Sequence, residues 1–149
     1  MQYKLPRSIQ VVVLTGAGEQ RRYLMLRRVP EHGAFWQSIT GSLEENETHA
    51  QAAIRELAEE TGLSRVEDDL LELGVVNTFE IAPLWRDRYA PGVTHNEEVC
   101  FALKLVEFEP TLDSREHDSF RWVQYHEAIK LSYWESTKRA LAAARLLED

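Results

Sequence analysis

The sequence predicts an α/β fold, in which helices cover both faces of a mixed β-sheet. Three observations support this prediction. Short segments rich in β-branched residues recur along the chain, an amphipathic helix lies between them, and two further helical segments follow the last strand. Strands and helices that alternate in this way favour an α/β/α sandwich. The chain of 149 residues is long enough for a sizeable core, and we expect a single domain spanning residues 1–149.

The predicted strands follow from local composition and from turn residues. Residues 8–15 have the sequence SIQVVVLT and end at the turn Gly16-Ala17-Gly18, so residues 22–28 are the expected hairpin partner. By the same criteria, further strands are predicted at residues 35–40, 70–80, 97–108 and 119–123. Helices are predicted at residues 48–61, 125–131 and 133–147.

The first helix carries signals at both ends. Thr48 and Gln51 match a capping box, which starts a helix by satisfying two of its free backbone N–H groups. Gly62 tolerates the left-handed conformation with which many helices end. These signals bound the helix at residues 48–61.

One face of this helix is acidic. Glu56, Glu59 and Glu60 lie within an arc of about 100° on a helical projection. Glu56 has a like charge at both i+3 and i+4, each pair costs roughly 0.2–0.5 kcal/mol, and no lysine offsets them. A hard divalent cation would offset the repulsion, because Mg²⁺ prefers oxygen ligands and keeps positions open for substrate phosphates. An ordinary solvated face is the alternative. Arg55 precedes Glu59 by one turn, where it can hold that carboxylate.

A longer motif surrounds the acidic face. In residues 41–63, Gly41 is followed after five residues by Glu47, and after seven more by RELAEETGL. This stretch resembles the Nudix box, the signature of hydrolases that cut nucleoside diphosphates linked to another moiety. Every specified position is filled. The resemblance implies a Nudix-type α/β/α sandwich around a mixed β-sheet and a pyrophosphohydrolase activity.

Three further segments narrow the resemblance within that family. They are FWQSITGS at residues 35–42, RYAPGVT at residues 88–94, and Glu116-His117 followed by FRW at residues 120–122. Together they resemble the bacterial dihydroneopterin triphosphate diphosphatases. The implied activity is metal-dependent hydrolysis of dihydroneopterin triphosphate to dihydroneopterin monophosphate and diphosphate, in folate biosynthesis. Two alternatives stay open: a broader hydrolase of dATP-like nucleoside triphosphates or dinucleoside polyphosphates, and a non-catalytic Nudix domain that senses a nucleotide.

The resemblance also implies roles for individual residues. Glu56, Glu60 and Glu116 are the implied metal ligands, with Mg²⁺ as the ion and Mn²⁺ as the alternative. Glu59 is an additional ligand or the catalytic base, and Arg55 joins it in the catalytic set. The implied substrate contacts are Lys4, Arg28, Thr40, Phe79, Glu80, Ile81, Ala82 and Tyr133, with Ser132 an equal candidate for the last.

Several other residues could take part in binding or catalysis, but each of them could also have an ordinary structural role. The connection 82–96 is long enough to have a function, and its aromatic and cationic residues suit a heterocycle carrying phosphates. A rigid surface flap, with Trp85 against the core, is the alternative. Trp36 is expected in the core rather than stacked on a base. His117 could carry a proton near neutral pH, but a histidine in a loop is more often solvated, and we expect the solvated residue.

Composition excludes several classes of function. The net charge of −8 argues against a nucleic-acid binder, and the chain has no apolar run of 18 residues to suggest a membrane partner. Cys100 is the only cysteine, which excludes an internal disulfide and favours the cytoplasm. The expected partner is a small pterin or nucleoside triphosphate. The sequence does not distinguish a monomer from a homodimer.

Overall fold

The computed structural model describes residues 2–148, which form a seven-stranded mixed sheet with helices on both faces. The strands are β1 (Arg7–Thr15), β2 (Arg22–Arg28), β3 (Trp36–Gln37), β4 (Ile39–Ser42), β5 (Leu71–Glu80), β6 (His95–Lys104) and β7 (His117–Val123). The helices are α1 (His49–Thr61), α2 (Tyr125–Leu131) and α3 (Glu135–Arg145). Between residues 2 and 148, no helix combines the length and apolar character needed to cross a membrane.

Strand β1 organises the sheet. It pairs in parallel with β6 along its whole length, and β5 pairs antiparallel with the far side of β6. On its other side, the first half of β1 pairs antiparallel with β4 and its end pairs antiparallel with β2. Strands β3 and β7 flank β2. The sheet is therefore mixed, as predicted.

The two helical layers follow from the alternation of side chains along β1. Val11 and Val13 pack on one face with Leu57 of α1. Val12 and Leu14 pack on the other face with residues of α2 and α3. Because β1 is buried on both faces, its sequence is almost continuously apolar. The predicted α/β/α sandwich is confirmed.

The structure corrects several element boundaries. The predicted strand 35–40 is divided at Ser38, because β3 pairs with β2 whereas β4 pairs with β1. The predicted strand 97–108 begins two residues earlier and ends at Lys104. Its parallel partner β1 ends at Thr15, and the pairing between the two strands stops at the hydrogen bond from the Leu105 N–H to the Leu14 carbonyl. Helix α3 begins at Glu135 rather than at residue 133.

Candidate active site

Helix α1 is positioned as its end signals predict. The Thr48 Oγ1 accepts a hydrogen bond from the Gln51 backbone N–H at 3.1 Å, and the Gln51 Oε1 accepts one from the Thr48 N–H at 2.9 Å. Gly62 has φ 77°, which ends the helix in the left-handed region. The apolar side of the helix, including Leu57, is buried against β1. This packing fixes the rotation of the helix and therefore the direction of its glutamates.

The three glutamates of α1 have different environments. Glu60 is buried, with 5% of its surface exposed, and the side chain of Glu56 is 15% exposed. Glu59 is more open, at 55%. The Glu56 carboxyl group lies directly against the backbone of Gly41, where any Cβ would overlap it. A side chain at position 41 would displace the Glu56 carboxylate from this position. Two of the three carboxylates therefore do not belong to an ordinary solvated face.

Glu60 and Glu56 are electrostatically costly in the absence of a cation. Burial raises the pKa of Glu60 well above its usual range, and the nearby Glu56 charge raises it further. Burial also raises the pKa of Glu56, against the opposing effect of Arg55. The Glu60 Oε2 has no hydrogen-bond partner within residues 2–148. A buried carboxylate oxygen without a partner is unfavourable unless a ligand satisfies it.

His117 faces this pair, which corrects the expectation that it is solvated. It begins β7, is 1% exposed, and places its Nε2 3.7 Å from the Glu60 Oε1. Burial lowers the pKa of His117 to about 4, and the Arg28 charge contributes. The ring is therefore neutral at pH 7. The error arose because the sequence around residue 117 resembles a polar loop, whereas β2 pairs with this segment and buries it.

Arg55 connects the loop before α1 to the acidic face. Its guanidinium donates to both carboxylate oxygens of Glu47 at 2.8 and 2.9 Å, and to the Glu56 Oε1 at 2.8 Å. It also donates to the Ser42 carbonyl at 2.9 Å. The contact with Glu59 predicted from the sequence is present, but it is the longest of these at 3.4 Å. Arg55 therefore positions Glu56 and the loop more firmly than it positions Glu59.

The donor set fits a hard divalent cation. Glu56 and Glu60 supply carboxylate oxygens from adjacent turns of one helix, and the Glu60 Oε2 is unpaired. Within residues 2–148, no three acidic, histidine or cysteine side chains already converge as a closed metal cage. Mg²⁺ is commonly held by one or two carboxylates together with waters and substrate phosphates, so a closed cage is not required. Glu59 and Glu116 are exposed enough to reorient toward such an ion.

A cleft of about 1840 Å³ borders these glutamates. Almost every residue that the sequence implicated in binding lines it, although Arg55 does not. The predicted residues that line it are Lys4, Arg28, Thr40, Glu56, Glu59, Glu60, Phe79, Glu80, Ile81, Ala82, Glu116 and Tyr133. The structure thus brings these residues together in one cleft, while their individual roles remain predictions.

Cations lie on the same side of the cleft as Glu116. The Arg28 Nη2 is 3.1 Å from the Glu116 Oε2, and it donates a hydrogen bond to the His32 Nδ1 at 2.9 Å. Desolvation and the charges of Arg88 and Arg28 lower the pKa of Lys4. A lysine held close to two arginines favours an anionic ligand.

Aromatic rings form a wall of the cleft. The ring of Tyr133 stacks on Phe35 with centroids 4.1 Å apart and an interplanar angle of 25°. Trp134 contacts both rings edge-on, and Trp85 approaches Trp134 at 5.9 Å. Trp85 also lines the cleft. Trp36 packs with the α2 and α3 core, as expected.

The choice between Tyr133 and Ser132 also follows from position. Ser132 is buried, and its Oγ donates to the Ala128 carbonyl at 2.7 Å. Tyr133 is 58% exposed and lines the cleft. Of the two residues, Tyr133 is the one available to a ligand.

Sequence reasoning missed a group of polar residues at the floor of the cleft. Asn96, Glu98 and Thr137 are buried and line it, and Gln10 and Asn77 are buried behind Glu98. The one available signal was a polar residue at position 10 within an otherwise apolar strand. No local pattern indicated that residues so far apart in the chain would meet.

The fold and the site together define a class of protein, the hydrolases of phosphoric anhydrides that use carboxylates and a divalent cation. Within this class the chain belongs to the Nudix family, because the NUDIX domain model matches residues 4–144. Nudix hydrolases require a divalent metal, in agreement with the donor set of α1.

Individual relatives are similar along most of the chain. The dihydroneopterin triphosphate diphosphatase of Escherichia coli K12 is 41% identical over 141 residues, which cover 93% of this chain and 91% of the relative. The enzyme of that name from Haemophilus influenzae is 38% identical over 144 residues, which cover 95% and 88%. The solved structure of the E. coli dihydroneopterin triphosphate pyrophosphohydrolase matches with a TM-score of 0.79 and 40% identity, covering 93% of this chain and 94% of that one.

Proposed function

We propose that this Nudix hydrolase converts dihydroneopterin triphosphate to dihydroneopterin monophosphate and diphosphate, with Mg²⁺ as its cation. The observation that carries the proposal is the buried pair Glu56 and Glu60, whose unpaired oxygen borders a cleft lined by cations and aromatic rings. Relatives about 40% identical over most of the chain carry the name of this activity, which supports the choice of substrate.

The cleft offers complementary groups for the two parts of such a substrate. Arg28 and Lys4 both line the cleft and supply positive charge for the triphosphate. The wall formed by Phe35, Tyr133 and Trp134 offers faces on which a flat bicyclic ring can stack. Because both sets line one cleft, a single ligand can contact them together.

The chemistry assigned to the chain is mainly positioning and proton removal. Glu56 and Glu60 hold the cation, and Glu116 is the third proposed ligand. The bound cation supplies charge neutralisation at phosphorus and lowers the pKa of a nearby water. Glu59 removes the proton from the attacking water, and it is the most exposed glutamate of α1. Arg55 fixes the Glu56 carboxylate through the 2.8 Å contact.

The remaining expectations about the protein are proposals of the same kind. We place it in the cytoplasm as a single domain, as a monomer or homodimer, acting on a small triphosphate and not on nucleic acid. A single buried cysteine and the net charge of −8 support this assignment.

A substrate panel tests the proposed function. Purified protein with Mg²⁺ is assayed against dihydroneopterin triphosphate, dGTP, dATP and a dinucleoside polyphosphate, scoring whether diphosphate or single phosphate leaves. We expect the highest kcat/KM for the pterin triphosphate, with diphosphate as the leaving product. Equal values across the panel would replace the pterin activity with a general one.

A variant pair distinguishes an enzyme from a nucleotide sensor. Glu56→Gln removes one proposed ligand, whereas Glu45→Gln makes the same change on an exposed loop residue outside the cleft. We expect the first to lose turnover and the second to retain it. Tight binding of the triphosphate without turnover in the wild-type protein would favour the sensor.

A further inference from the structure

A buried carboxylate lies in the cleft without a role in the proposed hydrolysis. Glu98 on β6 is 4% exposed and lines the cleft. Its side chain is on the face of the sheet that α3 covers, since Cys100, two residues along the strand, packs in the core beneath α3. The metal-binding glutamates are on α1, which covers the opposite face. Glu98 therefore belongs to a different part of the site.

The two carboxylate oxygens of Glu98 differ in their hydrogen bonds. The Gln10 Nε2 donates to the Glu98 Oε1 at 2.8 Å, and the Asn77 Nδ2 donates to the same oxygen at 3.1 Å. The weak Cys100 thiol also contacts Oε1, at 3.7 Å. Within residues 2–148, no donor contacts the Oε2. The carboxylate is thus held firmly through one oxygen, while the other is available as an acceptor.

Two residues near Glu98 in the cleft also have buried polar atoms without a hydrogen-bond partner in the part of the chain that the structure describes. The Asn96 Nδ2 donates to the Ser8 Oγ at 2.6 Å, which leaves the Asn96 Oδ1 buried without a partner within the described chain. The buried Thr137 Oγ1 also lacks a partner there. Both residues line the cleft beside Glu98. The unpaired Asn96 carbonyl oxygen calls for a ligand that presents a hydrogen-bond donor, and the Thr137 hydroxyl can either accept or donate.

A hydrogen bond of Asn77 connects Glu98 and its neighbours to the segment that carries the aromatic wall. The Asn77 Nδ2, which supports Glu98, is also 3.4 Å from the Ser136 carbonyl at the start of α3. Trp134 and Tyr133 immediately precede this helix and line the cleft. Asn77 therefore links Glu98 to the start of the helix that follows the aromatic wall, and the wall and Glu98 line the same cleft.

We infer that Glu98 is a specificity residue, whose Oε2 accepts hydrogen bonds from the aminopyrimidinone edge of the substrate ring. This inference rests on the proposed function and deepens it. A dihydropterin presents a ring N–H beside a 2-amino group, and guanine presents the same two donors. Adenine instead presents a ring nitrogen acceptor beside its amino group. A carboxylate fixed in this position therefore favours pterin and guanine rings over adenine.

The Glu98→Gln variant tests the inference because it preserves shape and replaces the free acceptor with an amide. We expect kcat/KM for dihydroneopterin triphosphate and for dGTP to fall roughly tenfold to a hundredfold. The value for dATP should stay constant or rise, since an amide complements the adenine edge. The matched control Glu97→Gln changes the exposed neighbouring strand residue, which does not line the cleft, and should leave all three values unchanged.

A comparison of substrates tests the same point without any variant. dITP differs from dGTP only in lacking the 2-amino group, so the wild-type enzyme should prefer dGTP by about tenfold. Glu98→Gln should abolish that preference. Equal wild-type values for dGTP and dITP would overturn the inference even if the Gln variant failed to fold.

The outcomes separate this inference from the proposed function. A wild-type enzyme that is inactive on dihydroneopterin triphosphate overturns the proposed function. An active wild-type enzyme whose preference among dihydroneopterin triphosphate, dGTP and dATP is unchanged by Glu98→Gln overturns the role of Glu98 alone. A fall of equal size for all three substrates also overturns it, because a merely structural residue would act in that way.

Discussion

Replacing Glu60 with glutamine should make the metal-free protein more stable and make it insensitive to Mg²⁺. In the folded chain Glu60 is 5% exposed, it lies beside Glu56, and its Oε2 has no partner within residues 2–148. Burying a charge in this way opposes folding unless a cation compensates it. Glutamine has nearly the same shape but carries no charge.

The magnitude follows from removal of the buried charge, because the amide of the glutamine would still lack a partner within residues 2–148 at the position of Oε2. An unsatisfied buried polar group costs about 1–3 kcal/mol, and more when it is charged. We therefore expect Glu60→Gln to raise the free energy of unfolding in EDTA by about 1–3 kcal/mol. For a chain of this length, each 1 kcal/mol raises the Tm by about 2–4 °C. A cation at a hundred times its Kd stabilises the wild-type protein by about 2.7 kcal/mol.

The assay is urea denaturation of the wild-type protein and the variant, each with EDTA and with saturating Mg²⁺. We expect Mg²⁺ to stabilise the wild-type protein and to leave Glu60→Gln nearly unchanged, and the exposed Glu45→Gln should match the wild-type protein in both conditions. If Mg²⁺ stabilises Glu60→Gln as much as the wild-type protein, Glu60 is not a ligand. A loss of stability in EDTA would refute the electrostatic reasoning.

Three further predictions concern other polar residues. Glu59→Gln should lower kcat by about 10²–10⁴-fold because the proposed catalytic base is lost. The Tm should stay unchanged because the side chain is exposed. A fully active variant would contradict the assignment of Glu59 as the base. Arg55→Lys should lower kcat/KM by about tenfold to a hundredfold and lower the free energy of unfolding in urea by about 1–2 kcal/mol. The reason is that an ammonium group cannot bind Glu47, Glu56 and the Ser42 carbonyl together. Unchanged kinetics would contradict the positioning role of Arg55. Burial raises the pKa of Glu98, so ionising this carboxylate costs more free energy in the folded chain than in the unfolded chain. The contribution of Glu98 to stability therefore falls as the pH rises above the ordinary pKa of glutamate. Glu98→Gln should therefore gain stability relative to the wild-type protein in urea titrations as the pH rises above the ordinary pKa of glutamate, and a constant difference would contradict this.

Features encoded locally were predictable from the sequence. The bounds of α1 follow from Thr48, Gln51 and Gly62, and the structure forms each of these interactions. The directions of Glu56 and Glu60 follow from helical periodicity together with the apolar residues of the opposite side. The alternation of apolar residues likewise predicts the strands, because each pleat places neighbouring side chains on opposite faces.

Features that depend on contacts distant in the chain were not predictable. The burial of His117 follows from the pairing of β7 with β2, which no residue near position 117 indicates. The bond between Gln10 and Glu98 joins residues 88 positions apart. The end of β6 depends on where its neighbour β1 ends. In each case a partner strand, and not the local sequence, determines the environment of the residue.

Identification of the products formed from dihydroneopterin triphosphate tests the central claim most directly. Phosphorus NMR of the wild-type reaction with Mg²⁺ distinguishes the two outcomes. We predict diphosphate and dihydroneopterin monophosphate in equal amounts, and no reaction in EDTA. Release of single phosphate, or turnover that persists in EDTA, would contradict the account of a cation held by Glu56 and Glu60 against a triphosphate.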